Sequence, residues 1–317
     1  VRSFSRAGGY RKALSRAVFF VRGTAPRPGL APAPRRLPGR PGQPRRSNRN
    51  RVRQPLQVCS MEARVAELSI IPVNTAEDLD RFVELPWSIY TPDSLWVPNL
   101  KKQDRELLSP GEHPFWKTAR RELFLALRDG RPVGRIAAIV DEKYNAYAGE
   151  RCGAFGFFEC QDDREAAHAL LQAAHDWLRR QGMAFMRGPL NPSTNYTCAM
   201  LVDGFDEAPA LMMPWNPPYY PALLESWHMR KEQDLFAYLI ERDKLRVEDW
   251  LKDEIRHLKE QERFTCRVSS KATLTEDIRI MLDLYRISWA GNWGFAPLSD
   301  GEADVLVKEL KGLLNPD

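Results

Sequence analysis

A strand, a tight polar turn and an amphipathic helix, in that order, constrain this chain more than any other stretch. The strand is Gly156-Phe157-Phe158-Glu159-Cys160, the turn is Gln161-Asp162-Asp163, and a helical pattern runs over residues 164–181. Either aspartate of the turn can N-cap the helix. Leu170, Leu171, Ala174, Trp177 and Leu178 follow the i, i+1, i+4, i+7, i+8 spacing of one buried face. Gly182 is placed to close the helix as its C′ residue, and Ala184-Phe185-Met186-Arg187 restarts a strand. A helix N-terminus that follows a strand in this way presents free N–H groups and a positive dipole end, which suits a phosphate. The turn itself carries the wrong charge for that use.

Charge is spread very unevenly. Residues 1–60 hold fifteen Arg or Lys, eight Pro and no Asp or Glu, so the remaining residues carry 32 basic against 42 acidic side chains. The formal +5 of the whole chain belongs to the N-terminal segment, and an acidic body disfavours a nucleic-acid partner. The Arg/Pro/Gly-rich segment 1–60 is expected to be disordered. It reads as an organelle transit peptide, as a basic arm for nucleic acid or anionic lipid, or as an extension upstream of a true start at Met61. The last reading is favoured, because the acid-free composition ends at Met61-Glu62.

Five cysteines (Cys59, Cys152, Cys160, Cys198 and Cys266) form no CxxC pair and are odd in number, which fits free thiols in the reducing cytoplasm. No apolar run approaches the ~20 residues of a spanning helix, so no membrane partner is expected. The histidines show no metal-ligand spacing, and His168 and His175 read as members of a solvated helix face.

Residues 68–73 read as a strand, 75–87 as a helix, and 99–108 as a second helix after a Pro/Trp-rich connection. Residues 123–127 and 133–140 pair through the Asp129-Gly130 turn. The strand–helix–strand of the first paragraph follows a Tyr-rich loop, then a helix near 219–226 and a last strand at 235–240. The class is α+β, a mixed sheet flanked by helices.

This order resembles the GNAT (GCN5-related N-acetyltransferase) fold over about residues 67–240. Arg128-Asp129-Gly130-Arg131-Pro132-Val133-Gly134-Arg135 looks like that family's hairpin motif. More closely, the chain is similar to a bacterial group of tandem GNAT-related proteins. The shared motifs are Gly188-Pro189-Leu190-Asn191-Pro192-Ser193-Thr194-Asn195, Val202-Asp203-Gly204-Phe205-Asp206, and the run Met212-Met213-Pro214-Trp215-Asn216-Pro217-Pro218-Tyr219-Tyr220. The body also restarts: Glu77-Asp78-Leu79, Phe82-Val83-Glu84-Leu85 and Tyr90 match Glu276-Asp277-Ile278, Met281-Leu282-Asp283-Leu284 and Trp289 at a constant offset of 199. The expected organisation is an extension at 1–60, a GNAT-like domain at 61–244, a helical connection at 245–263, and the incomplete start of a second copy at 264–317.

The resemblance implies transfer of an acyl group from acetyl-CoA, or another acyl-CoA, to a small-molecule or peptide amine. It places the pyrophosphate at Asp163, Arg164, Ala166 and Ala167, where Glu165 stands in place of a glycine. Carboxylates beside a polyanion oppose binding by roughly 1 kcal/mol each, whereas the same acids suit the helix itself. Glu159 is a candidate base acting through a water, or an edge-facing glutamate. Tyr219 and Tyr220 are candidate acids, or a buried aromatic pair. Asn191, Ser193, Thr194, Asn195 and Asn216, set among Pro, Trp and Tyr, read either as a pocket with a few orienting polar groups or as turn chemistry. The resemblance therefore puts acyl-CoA chemistry in a second half, with a non-catalytic binding module as the alternative. Neither the acceptor nor the oligomeric state is legible here.

Overall fold

The computed structural model describes residues 10–22, 67–240, 246–261 and 267–313. In chain order the elements are β1 (Tyr10–Arg22), β2 (Leu68–Pro72), α1 (Ala76–Glu84), α2 (Pro86–Ile89), α3 (Lys101–Leu108), β3 (Ala119–Arg128) and β4 (Arg131–Asp141). Then come α4 (Glu142–Ala148), β5 (Cys152–Cys160), α5 (Arg164–Arg180), β6 (Phe185–Gly188), β7 (Leu190–Asn191), β8 (Thr197–Cys198) and β9 (Met200–Asp203). The last are α6 (Tyr220–Ser226), β10 (Arg230–Ile240), α7 (Asp249–Glu260), α8 (Leu274–Trp289) and α9 (Asp300–Leu313).

The result is a mixed sheet flanked by helices, as the sequence predicts. Its order is β10-β1-β6-β5-β4-β3-β2, with β9 also paired to β1. Among the described residues only β5 and β6 run parallel. Alternation along β3 builds a core on each face. Phe124 and Ala126 join the cluster under α5 and α6, while Leu123, Leu125 and Leu127 join Phe82, Val83 and Leu108 on the face of α1 and α3. The α5 positions expected to be buried are buried, except that Trp177 is only partly so. His175 is 3 % exposed and meets the ring of Trp227, which corrects the solvated helix face expected for it.

A second correction concerns the N-terminal segment. Tyr10–Arg22 is a strand, paired antiparallel with β10, β6 and β9, where disorder was expected. The short apolar island at 17–21 supplies Phe19, which is 1 % exposed in the main core. The backbone on either side satisfies the N–H and C=O groups of strands that would otherwise face solvent. The rest of 1–60, including the boundary at Met61, lies outside the described residues.

The Tyr-rich loop of the sequence reading is helix α4, capped by Asp141, whose carboxylate accepts from Tyr144 N at 3.0 Å. Helices α8 and α9 pack together through Leu274, Ile278, Leu282 and Val307. They rest on the sheet domain through Glu302, which accepts from Lys143 Nζ at 2.6 Å and from the Tyr196 hydroxyl at 3.1 Å. No helix among the described residues is long and apolar enough to cross a membrane.

Candidate functional site

The expected pyrophosphate cradle at the start of α5 is occupied by the chain's own groups. Asp163 is the N-cap: its Oδ1 accepts from Ala166 N at 3.0 Å, and its backbone oxygen accepts from Ala167 N at 3.0 Å. Arg128 bridges the Asp163 and Glu165 carboxylates at 2.7 and 2.9 Å. Burial pushes the Asp163 carboxyl up, but the Ala166 amide and Arg128 outweigh it and hold the pKa below the usual range. Ala166 and Ala167 are 0 % exposed and point into the core, and Arg164 lies on the exposed side. A pyrophosphate here would have to displace a capping carboxylate, at about 1 kcal/mol or more.

The gap between the parallel strands is closed as well. β5 and β6 pair only over Cys152–Phe185, Gly153–Met186 and Ala154–Arg187, and beyond that point β7 lies directly against β5. A Cβ on Gly156 would stand 1.8 Å from the Leu190 backbone oxygen, and one on Gly188 would stand 2.2 Å from that of Phe155. Glycine at both positions is what lets the two backbones meet. Phe157 sits at a register shift within β5 with φ +50°, a conformation uncommon outside glycine. Its N–H is taken by Asn191 Oδ1 at 2.6 Å. At Asp163, Arg164, Ala166 and Ala167 the start of α5 is thus capped and ion-paired by the chain's own groups.

The sequence-predicted residues that do converge are Glu159 and Tyr220. The Tyr220 hydroxyl donates to Glu159 Oε2 at 2.7 Å and accepts from Cys160 N at 2.9 Å. Tyr219 turns to the backbone instead, donating to Cys160 O at 2.9 Å. Two further members escaped the sequence reading. The Tyr90 hydroxyl donates to the same Glu159 oxygen at 2.7 Å, and Arg135 Nη2 stands 3.9 Å from Glu159 Oε1. Arg135 is the register partner of Glu159 across the β4–β5 pair, so strand pairing brings them together. Its guanidinium also donates to Phe82 O at 2.6 Å and lies over the Phe82 ring.

Glu159 is no edge-facing side chain, being only 15 % exposed. Burial raises its pKa, opposed by Arg135 and by the hydroxyls of Tyr90 and Tyr220. Burial and the neighbouring Glu159 carboxylate push both tyrosines well above the usual phenol range, so they act as donors. The sign for stability follows: a raised carboxyl contributes below about 4.5, its ordinary value, and that contribution is lost as pH rises through the folded value. The stability of Glu159→Gln relative to the parent is therefore expected to rise as the pH climbs above about 4.5. Urea unfolding at several pH values checks this; a difference that stays flat removes Glu159 as a titrating buried group.

Aromatic rings pack around the Tyr90 that grips this carboxyl. Trp96 stacks on Tyr90 with centroids 4.4 Å apart, Trp215 meets Tyr90 edge-on at 5.8 Å, and Trp87 meets Trp96 edge-on at 5.2 Å.

The polar residues of 188–195 divide between two structural tasks. Asn191 seals the Phe157 amide, and Ser193 is 5 % exposed and accepts from Asn195 N. Thr194 Oγ1 donates to Gly294 O at 2.6 Å, Asn195 Nδ2 donates to Ala296 O at 2.7 Å, and Asn195 Oδ1 accepts from the Tyr285 hydroxyl at 2.8 Å. Asn216 is buried away from them, tied to both backbone atoms of Leu201. These five do not form one pocket. A small cavity of about 30 Å³ does lie beside Ser193 and Thr194, between Arg187, Asp141 and Trp293. Among the described residues no cluster could hold a metal ion.

No protein-family profile matches the chain. It is 33 % identical over 258 residues to "Bacterial ceramide synthase" of Caulobacter vibrioides, covering 79 % of this chain and 65 % of that protein. It is 32 % identical over 247 residues to "Protein YghO" of Escherichia coli, covering 76 % of this chain and 61 % of that protein. The chain thus spans a little under two thirds of these relatives. Among solved structures, a tandem GNAT protein from the clavulanic acid biosynthesis pathway aligns at 12 % identity and TM-score 0.33, over 51 % of this chain and 43 % of that one. A GCN5-related N-acetyltransferase from Kribbella flavida aligns at 13 % identity and TM-score 0.27, over 56 % and 49 %. TM-scores this low do not define a fold.

Proposed function

We propose that this chain is part of an amide-forming N-acyltransferase, and that its sheet domain serves the amine acceptor and does not hold acyl-CoA. The likeness to the bacterial ceramide synthase supports N-acyl transfer as the reaction. The observation that carries the division of labour is the closed gap at Gly156, where the backbone of Leu190 fills the space between β5 and β6. The acyl-CoA site then belongs outside residues 67–240, in keeping with the second copy read from the 199-residue offset. Free thiols at Cys152 and Cys160 support a reducing, cytoplasmic setting.

When an amide forms from an acyl-CoA, the C–S bond breaks, the leaving thiolate takes up a proton, and the amine nitrogen gives one up as the N–C bond is made. Glu159 is placed to take it: the carboxyl is sheltered, burial raises its pKa, and two hydroxyls orient it. Arg135 keeps the carboxylate form accessible in a site where burial alone would suppress it.

Calorimetric titration of acetyl-CoA and octanoyl-CoA into this chain is expected to show no binding up to about 1 mM, a Kd beyond the range of −4 kcal/mol. Micromolar binding would sink the division of labour. The same sealed gap also favours a second reading, a non-catalytic module for a small molecule or protein partner. In the whole protein, Glu159→Gln lowers acyl transfer about a hundredfold under the first reading and leaves it unchanged under the second.

A further inference from the structure

Helices α8 and α9 repeat the pair α1 and α3 at the offset of 199 that relates their sequences. α3 opens at Lys101 and α9 at Asp300, while α1 opens at Ala76 and α8 at Leu274, within one residue of the offset. The packing of the pair is repeated as well. Val83 and Leu108 are buried in one cluster of the first copy, with Leu79 and Leu107 partly buried against it. Their counterparts at the offset are Leu282, Val307, Ile278 and Leu306, and these join α8 to α9. Two helix pairs that turn the same four positions inward are one structural unit used twice.

The copies part on a second face of the helix. In the first copy Phe82, Leu85 and Tyr90 are 0, 3 and 7 % exposed. Phe82 shares its cluster with Leu123, Leu125 and Leu127 of β3 and with Ala137 and Ile139 of β4. At the offset the three become Met281, Leu284 and Trp289, which are 48, 61 and 52 % exposed. The neighbouring polar position shows no such change, since Glu84 and Asp283 are exposed in both copies. A single exposed leucine needs no explanation, but here three positions keep their apolar character and lose their cover.

We propose that Met281, Leu284 and Trp289 on α8 are the seat of a second β-sheet, supplied by the same polypeptide beyond residue 317. The relatives this chain matches leave room for such a body. Its inner face carries large aliphatic side chains at alternate positions, as β3 does at Leu123, Leu125 and Leu127. Carried over by the same offset, that alternation begins at about position 322 of the whole protein. Trp289 stands in place of Tyr90, so the second body does not repeat the hydroxyl that grips Glu159.

Oxidation of methionine by dilute hydrogen peroxide, located by peptide mass, reads this face in the unmodified protein. Met212 and Met281 are 49 and 48 % exposed and Met186 is 0 % exposed, which supplies an open and a closed standard. In the 317-residue chain Met281 should oxidise as fast as Met212. In the whole protein it should slow about tenfold or more, toward Met186, while Met212 keeps its rate. Maleimide labelling of Leu284→Cys should slow likewise, and that of Asp283→Cys should not. One rate for Met281 in both proteins, or Leu284→Cys labelling as fast as Asp283→Cys in the whole protein, overturns the proposal. So does a whole-protein sequence with no alternating aliphatic strand near that position. Protection of Met281 already present in the 317-residue chain, and lost on dilution as a dimer dissociates, would give the face to a second copy of this chain instead. Neither acyl-CoA nor turnover enters these measurements, so they succeed or fail apart from the N-acyltransferase reading.

Discussion

Replacing Arg187 with alanine lowers the unfolding free energy by about 3 kcal/mol, the lower end of the range for breaking a buried ion pair from one side. Arg187 is 5 % exposed on β6. Its Nε and Nη2 donate to the two Glu232 oxygens at 2.7 and 2.9 Å, and Nη1 donates to Glu150 at 3.0 Å and to the Tyr144 hydroxyl at 2.8 Å. Burial opposes the charge, yet the paired carboxylate and hydroxyl groups hold the guanidinium more firmly ionised than usual. Removing it leaves two carboxylates facing each other in a partly dry site. The Glu232 and Glu150 side chains retain 20 and 33 % exposure, so water offsets part of the cost and the lower end applies. Arg187 also touches the Trp293 ring, so the docking of the 290–296 loop weakens together with the sheet. Urea unfolding with an unchanged m-value reads the loss. Pairing the change with Glu232→Gln should recover a good part of it. A loss below about 1 kcal/mol would mean that the cluster is a solvated surface network.

Gly156→Ala is expected to be at least as damaging, at about 3 kcal/mol, the upper end for overpacking. The added methyl would stand 1.8 Å from Leu190 O, 2.8 Å from Leu190 C and 2.9 Å from Asn191 Oδ1. No rotamer change relieves a clash with backbone, so β7 has to move away from β5. That movement breaks the bond from Phe157 N to Asn191 Oδ1 and exposes a buried amide. Gly111→Ala is the matched control, with nothing within 4 Å of the added Cβ and an expected change near zero. If Gly156→Ala unfolds at the parent's urea concentration, the gap has room to spare and the argument against acyl-CoA loses its main support.

Helix α5 illustrates what a sequence can specify locally. Asp163, the apolar positions from Leu170 to Leu178 and Gly182 mark its start, its buried face and its end, and all act within a few residues of one another. The β3–β4 hairpin is equally local, since Asp129-Gly130 sets the turn and the alternation of the strands does the rest. Strand β1 was illegible for the opposite reason. An Arg-rich stretch has too little apolar surface to order by itself, and the partners that order it, β6, β9 and β10, lie more than 160 residues away along the chain.

The candidate site divides along the same line. Glu159 and Tyr220 stood out as residue types suited to proton transfer, but nothing in their spacing of 61 residues says that they touch. Tyr90 and Arg135 carried no signal, because one arrives from a Pro/Trp-rich loop and the other through cross-strand register. The run 188–195 was read as a pocket or a turn and became two contacts: Asn191 closes the sheet, and Thr194 and Asn195 hold the helical segment that follows.

By itself the sequence determined helix α5, the β3–β4 hairpin and the mismatch between an acidic turn and a polyanion, because propensity, capping and charge act over a few residues. Only the tertiary structure decided that the gap beside β5 is closed and that one carboxyl is gripped by two tyrosines and an arginine. Both depend on contacts between residues distant in the chain, whose strength is set by burial that no local pattern records.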